Sequence, residues 1–153
     1  MTDAFVSHPA SAPEFAVGAA VPPFVRTAGF QVWNRYAAVN SEFVDIHMDD
    51  EAGRAAGYPG AFGMGNLLWA WLHCAVERWL DGRGRLEHLE LRFRRPALKG
   101  DEITCGGVVT DRTEREDGST VLELDVWAQN RSGDRIAPGR ARVLLPRAGL
   151  ADE

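Results

Sequence analysis

Hydrophobic residues change their spacing along the chain, and each change predicts a different element. Two prolines at 22 and 23 favour an extended segment over 21–27. From Phe30 the apolar residues recur at helical spacing and predict a helix over 30–39. Residues 50–56 predict a small helix, because acidic residues open it and Gly57 can end it. Residues 40–49 are predicted to form a loop between the two helices.

The most apolar segment, over about 63–80, predicts a helix that is buried on nearly every face. Its apolar residues are Leu67, Leu68, Trp69, Trp71, Leu72, Val76, Trp79 and Leu80. The run 81–84, Asp-Gly-Arg-Gly, is a clear break and ends this helix.

After this break the hydrophobic period becomes two residues, which is typical of strands. Strands are predicted from Leu89 to near Pro96 and over 102–115, 120–130 and 135–145. Asp117-Gly118 is a hairpin signal, and Pro138-Gly139 predicts a bulge. A buried helix followed by four sequential strands predicts an α+β protein with a hotdog fold, in which an antiparallel sheet wraps around the long central helix. The alternative is an α+β sheet with the helix packed flat on one face.

Length and composition favour one globular domain. The 153 residues are 45% hydrophobic and 25% charged. We expect a flexible N-terminal arm over 1–17, a single domain over 18–148 and a C-terminal tail over 149–153. The net charge of −5 argues against a nucleic-acid partner. The longest apolar run, over 67–76, is too short to span a bilayer.

The first residues lack the basic and apolar regions of a secretory signal, so we expect a cytoplasmic protein. Cys74 and Cys105 lie within apolar patterns and are predicted to be buried, reduced thiols. Neither cysteine has the spacing of a metal ligand, and no glycine-rich phosphate motif is present. We therefore expect chemistry without a metal or redox cofactor.

A histidine and two carboxylates are concentrated in the predicted loop. Imidazole has a pKa near ~6.5, so His47 can take a proton from water at neutral pH. Glu42 or Asp45 can orient the same water or deliver a second proton. The alternative for His47 is a cap on the helix that follows. The alternative for Asp45 is a hydrogen bond to loop amides.

A glycine-rich turn leads into the long helix. Gly63 and Gly65 permit close approach of a ligand, and the start of a helix favours negative charge. Tight packing of the turn against the sheet is the alternative reason for glycine there. Met64 is predicted to be a wall of an acyl pocket, and Asn66 can donate a hydrogen bond to substrate or stabilise the first turn.

Basic residues cluster near the end of the first predicted strand after the helix. They are Arg92, Arg94, Arg95 and Lys99. They can bind phosphates of coenzyme A or of a carrier protein's pantetheine arm. The alternative is a solvated face of the strand.

Residues 18–146 resemble the MaoC-like hotdog hydratases, which include (R)-specific enoyl-CoA hydratases and 3-hydroxyacyl thioester dehydratases. The residues that carry the resemblance are Phe24, Arg35-Tyr36-Ala37, Asp45-Ile46-His47-Met48-Asp49, Ala52, Ala55-Ala56-Gly57-Tyr58-Pro59-Gly60, Pro96 and Gly100-Asp101. The family's loop reads Asp-x-Asn-Pro-x-His, in which the aspartate and histidine hold the water. In the family, Ala-His-Gly opens the central helix.

Aligned on His47, this chain has Glu42 at the aspartate position, Val44 at the asparagine position and Asp45 at the proline position. Gly63-Met64-Gly65 stands in place of Ala-His-Gly. The loop also resembles short MaoC-like subunits that pair with a second MaoC-like chain, as in steroid side-chain degradation. The apolar helix needs cover on all sides and the edges of the sheet must be paired, so we expect a homodimer or, given the resemblance, a heterodimer with a related MaoC-like chain.

Together these observations predict a lyase of lipid metabolism that adds or removes water across a 2-enoyl thioester. The substrate is an acyl-CoA or acyl-carrier-protein thioester, and no cofactor is needed beyond its coenzyme A or pantetheine. A hotdog thioesterase is one alternative. A non-catalytic subunit that binds an acyl thioester is another.

Overall fold

The computed structural model describes residues 12–147. Its helices are α1 (Phe30–Asn40), α2 (Asp45–Met48), α3 (Asp50–Ala55) and α4 (Gly65–Leu80), and a 3₁₀ helix spans Ala12–Phe15. Its strands are β1 (Ala20–Thr27), β2 (Arg85–Leu91), β3 (Glu102–Glu114), β4 (Thr120–Gln129) and β5 (Arg135–Leu145). The predicted tail and the first eleven residues of the predicted arm lie outside the described residues.

The five strands form one antiparallel sheet in the order β1-β3-β4-β5-β2. The hairpin between β3 and β4 turns at the predicted position, where Gly118 adopts a φ of 82°. Both edges of the sheet come from strands next to a helix in the sequence, β1 before α1 and β2 after α4. This topology confirms the predicted α+β hotdog architecture.

Helix α4 supplies the centre of the core. Its buried residues are Leu67, Leu68, Trp71, Leu72, Ala75, Val76, Trp79 and Leu80. They pack with buried strand residues that include Ile103, Leu122 and Val143. Each fully buried large apolar side chain contributes about 1.5–3 kcal/mol, so this helix is a major source of stability. It ends at Asp81, whose left-handed conformation has a φ of 46°.

The prediction that α4 is buried on nearly every face is wrong. Trp69 is 38% exposed, and Cys74 and Glu77 are exposed on the same side of the helix. The single sheet covers the other faces of α4 and leaves this face exposed. Cys74 is therefore not a buried thiol, whereas Cys105 is, and burial raises the pKa of the Cys105 thiol to about 12.

Three local predictions need correction. The segment predicted as a loop over 40–49 contains a one-turn helix, α2. This helix ends at Asp49, which is also the N-cap of α3. Strand β2 is displaced toward the N-terminus and ends at Leu91, since Arg92 and Arg94 pair irregularly with the start of β5. The irregularity of β5 lies around Ile136, where its pairing with β4 shifts register, and not at Pro138-Gly139.

Within the described residues, no helix is both long and apolar enough to cross a membrane.

Candidate active site

Helix α2 places His47 against the turn that precedes α4. The His47 side chain is buried, with 8% of its surface exposed. Its Nδ1 lies 2.8 Å from the carbonyl oxygen of Phe62. A carbonyl can only accept, so Nδ1 must carry a proton, and in the neutral imidazole Nε2 then has the lone pair. The imidazole is thus held in the tautomer that a general base at Nε2 requires.

The segment around Phe62 is itself fixed on both sides. The Phe62 N–H donates to the Ile46 carbonyl at 3.3 Å, and the Gly63 N–H donates to the Ala97 carbonyl at 2.8 Å. The Phe62 ring contacts the His47 ring edge-to-face, with centroids 5.2 Å apart. These contacts give the histidine a rigid acceptor rather than a mobile loop carbonyl.

Asp50 supports the same segment from the opposite direction. Its Oδ1 accepts the Ala61 N–H at 3.0 Å, and its Oδ2 accepts from Lys99 Nζ at 2.5 Å. These hydrogen bonds, that of Lys99 first, lower the pKa of the Asp50 carboxyl. Only Asp49 is the side-chain cap of α3, accepting the Ala52 N–H at 2.8 Å. Asp50 therefore braces the turn, a role that its capping position in the sequence did not predict.

A cavity of about 240 Å³ opens at the start of α4. Its lining residues are Tyr58, Phe62, Gly63, Gly65, Leu68, Phe93, Arg94, Arg95 and Pro96. The aromatic rings of Tyr58 and Phe62 pack together with centroids 4.3 Å apart. Tyr58, Phe62 and Phe93 were not among the predicted site residues. Their positions could have indicated them, because Tyr58 and Phe62 are each next to a glycine and Phe93 follows the end of a strand.

The two glycines of the turn differ in what they can do. A Cβ on Gly63 would lie 2.8 Å from Trp33 Nε1, so Gly63 is required by packing, and its N–H is engaged with Ala97. Within residues 12–147 the N–H groups of Gly65 and Asn66 have no hydrogen-bond partner, as at many helix starts. Gly65 is thus the cavity-lining glycine that offers a free amide to an anionic oxygen.

The other predicted site residues are more dispersed. Met64 is buried in the core, with 1% of its surface exposed, and does not line this cavity. Asn66 is exposed in the first turn of α4. Glu42 is partly buried and close enough to Tyr36 to raise the pKa of that hydroxyl, although burial is the larger cause. Asp45 is exposed at the start of α2.

Neither carboxylate touches the histidine in this arrangement. Within residues 12–147, His47 has no acidic side chain within ion-pair distance. Chain direction explains the separation: the left-handed Ser41 ends α1, which leaves Glu42 beside α1, while α2 carries His47 toward the core. The structure joins His47 to Phe62, which lines the cavity that contains Gly65; His47 itself lies behind Phe62 and is not a lining residue.

Comparison with solved structures identifies the architecture. The (R)-hydratase from A. caviae involved in PHA biosynthesis matches with a TM-score of 0.76 over 86% of this chain and 97% of that chain, at 23% identity. The MaoC-like dehydratase from Rhodospirillum rubrum matches with a TM-score of 0.72 over 91% and 98%, at 20% identity. The chain has the MaoC-like hotdog fold.

The MaoC-like hotdog fold also occurs in a two-protein assembly. The ChsH1-ChsH2 complex from Mycobacterium tuberculosis matches with a TM-score of 0.74 over 85% of this chain and 98% of the matched chain, at 22% identity. No family model matches the sequence, and no curated protein matches it. The predicted MaoC-like resemblance is therefore confirmed through the fold.

Proposed function

We propose that this chain is a MaoC-like hydratase or dehydratase that adds water to a 2-enoyl thioester or removes it from a 3-hydroxyacyl thioester. The observation that carries the proposal is the hydrogen bond from His47 to the Phe62 carbonyl, three residues before the Gly65 amide, which has no partner within residues 12–147. Two of the solved structures described above, the (R)-hydratase and the MaoC-like dehydratase, support it through their shared fold and their names.

In the hydration direction, His47 Nε2 takes a proton from water while the hydroxyl oxygen bonds to Cβ of the enoyl group. The Cα–Cβ π electrons shift toward the thioester, and its oxygen gains negative charge. The Gly65 N–H donates to that oxygen, where the start of α4 also favours an anion. The proton that His47 has taken up is then delivered to Cα, directly or through the carboxyl group of the reaction, which completes the addition of water and returns the imidazole to its neutral form. Dehydration is the reverse of these steps.

The carboxylate of the reaction is Glu42 or Asp45. Glu42 occupies the position of the family's aspartate, and its longer side chain can reach farther from the end of α1. Asp45 is closer to His47 in sequence but lies at the exposed start of α2. We favour Glu42. The reaction requires no metal or redox cofactor, because proton transfer and an amide donor suffice.

The proposed assembly is a dimer of like chains or a dimer with a related MaoC-like chain. Strand β1 is a poor edge for pairing, because Pro22 and Pro23 lack N–H donors. Strand β2, at the other edge, contains no proline and lies next to the cavity-lining Phe93. Pairing through β2 would bring a second chain close to the start of α4.

One assay separates the proposal from its alternatives. The purified chain is incubated with a short trans-2-enoyl-CoA, and the absorbance of the conjugated enoyl thioester is followed together with release of free thiol. A hydratase removes the absorbance without releasing thiol, and a thioesterase releases thiol. A non-catalytic subunit does neither; the separation of both carboxylates from His47 is the observation that favours this alternative. If the absorbance does not fall and no thiol is released, the proposal is contradicted for the isolated chain.

A further inference from the structure

A second depression lies beside the first, on the strand side of the cavity. It encloses about 540 Å³ and is lined by Glu90, Arg92, Arg94, Pro138, Gly139 and Arg140. We call it the arginine groove. A Cβ at Gly139 would collide with the Glu90 carbonyl, so the close approach of β5 to β2 beneath the groove requires glycine at this position.

Strand pairing explains why the arginines converge. Glu90 lies directly opposite Arg140 in the β2–β5 ladder. Beyond β2, the Arg92 N–H donates to the Pro138 carbonyl at 2.9 Å and the Arg94 N–H donates to the Ile136 carbonyl at 2.9 Å. The chain therefore remains attached to β5, and alternate residues 90, 92 and 94 line the same groove as Arg140.

These arginines differ from their neighbours in lacking partners. Arg95 pairs with Asp134 at 2.9 Å, and Arg142 pairs with Glu123 at 2.6 Å. Within the described part of the chain, the guanidinium groups of Arg92, Arg94 and Arg140 make no hydrogen bond or ion pair. Three unpaired guanidinium groups facing one carboxylate form a local excess of positive charge in a chain whose net charge is −5.

The groove adjoins the proposed reaction cavity. Arg94 lines both depressions, so a ligand whose reactive end lies at Gly65 can extend past Arg94 toward Arg92 and Arg140. Guanidinium groups bind phosphate oxygens through paired N–H donors. Several unpaired arginines suit a ligand with more than one phosphate better than a single phosphodiester.

We propose that the arginine groove binds the phosphates of the coenzyme A part of the substrate and makes the chain selective for coenzyme A thioesters. This inference rests on the proposed thioester chemistry, whose site it extends. Under it, Arg92 and Arg140 contribute to binding and not to the chemical step, because neither lines the cavity at Gly65.

The kinetic test compares a trans-2-enoyl-CoA with the same acyl group on pantetheine, which lacks the phosphates. For the wild-type protein, kcat/KM should be at least about tenfold higher with the CoA thioester. Arg92→Gln and Arg140→Gln should each raise KM for the CoA thioester about tenfold and leave kcat unchanged, since a hydrogen bond to a charged group carries about that weight. Neither change should alter the kinetics with the pantetheine thioester.

Arg85→Gln is the matched control, because Arg85 is an exposed arginine at the other end of β2, outside the groove. It should change neither KM. Equal use of both thioesters by the wild-type protein, or an unchanged KM for the CoA thioester in Arg92→Gln and Arg140→Gln, would overturn the proposal. A carrier-bound thioester that is used better than the CoA thioester would also overturn it.

Binding of adenosine 3′,5′-bisphosphate, measured by calorimetry, tests the groove without any turnover. The wild-type protein and Arg85→Gln should bind it, and Arg92→Gln and Arg140→Gln should bind it about tenfold more weakly. If no thioester is hydrated but this binding pattern is found, the hydratase proposal fails and the phosphate site remains. If hydration is found without this binding, the phosphate site fails.

Discussion

The Nδ1 atom of His47 and the carbonyl oxygen of Phe62 lie 2.8 Å apart, which joins helix α2 to the turn that opens α4. Through this hydrogen bond, the proposed base and the proposed oxyanion donor belong to one rigid unit. Phe62 is three residues before Gly65, so any displacement of the turn moves both groups. Catalysis by this unit depends on the geometry of the turn as much as on the imidazole.

Replacing His47 tests the proposed base. His47→Ala should lower kcat by about 10²–10⁴-fold, the usual weight of a positioned acid–base group. Steady-state kinetics and circular dichroism measure activity and folding together. His73→Ala is the matched control, because His73 is partly exposed on α4 and lies outside the cavity; it should retain full activity. A folded His47→Ala protein with near-normal turnover would remove His47 from the mechanism.

The two carboxylates of the loop can be ranked. Glu42→Gln should be severely impaired and Asp45→Asn mildly impaired, because Glu42 stands at the position of the family's aspartate. Each change keeps the size of the side chain and removes its charge. Measurement of kcat for both, with exposed Glu51→Gln as a control, decides between them. The opposite ranking would assign the role to Asp45.

The Gly65 amide is tested by adding a side chain. A Cβ at Gly65 would already lie 3.0 Å from the Phe93 ring, so Gly65→Val narrows the cavity and restrains the backbone. Valine keeps the N–H but displaces it, so turnover should fall by up to about 10²–10³, the cost of losing an oxyanion donor, and steric blockage should also raise KM. Cys74→Val places the same side chain on the exposed face of α4 and should have little effect. Full activity in a folded Gly65→Val protein would show that the thioester does not bind at this helix start.

The brace at Asp50 predicts a dependence on acid pH. The pKa of Asp50 is lowered in the folded protein, so its stabilising effect is present above the ordinary carboxyl value of 3.8 and is lost as the pH falls through the lower folded value. Asp50→Asn should therefore reduce the thermal midpoint at neutral pH, and the difference from wild type should shrink below about pH 4. Thermal unfolding followed by circular dichroism across this range measures it.

Glu51→Gln is the control for Asp50→Asn, since Glu51 is the exposed neighbouring acid in α3. Its thermal midpoint should follow that of the wild-type protein at every pH. A constant difference between Asp50→Asn and wild type from pH 7 to pH 3 would contradict the assignment of the effect to the Asp50 carboxylate.

The proposed assembly is tested in solution. Light scattering at micromolar concentration should give the mass of two chains, because β2 leaves an edge that can pair with a second sheet. If this chain requires a related partner, the dimer forms only after mixing the two. A monomer that hydrates an enoyl thioester at full rate would contradict the dimer.

Local patterns were sufficient where the determinants of an element are close in sequence. The period of two residues located β3, β4 and β5 to within one residue, and Asp117-Gly118 located their first hairpin. His47 and Gly65 were also predicted to be site residues, from the loop and the glycine-rich turn, and the structure places them on either side of Phe62. These features depend on side-chain alternation and on turn conformations, which are encoded over a few neighbouring positions.

Only the tertiary structure decided which other side chains lie beside His47 and Gly65. Met64 is adjacent to Gly65 but is buried in the core, whereas Phe93 is distant in sequence and packs against Gly65. Asp50 could be recognised as a brace only when Lys99 and Ala61 were brought to it from other segments. The sequence by itself determined most of the elements and the candidate reactive groups, while long-range packing determined their partners, because contacts between distant segments leave no local periodicity.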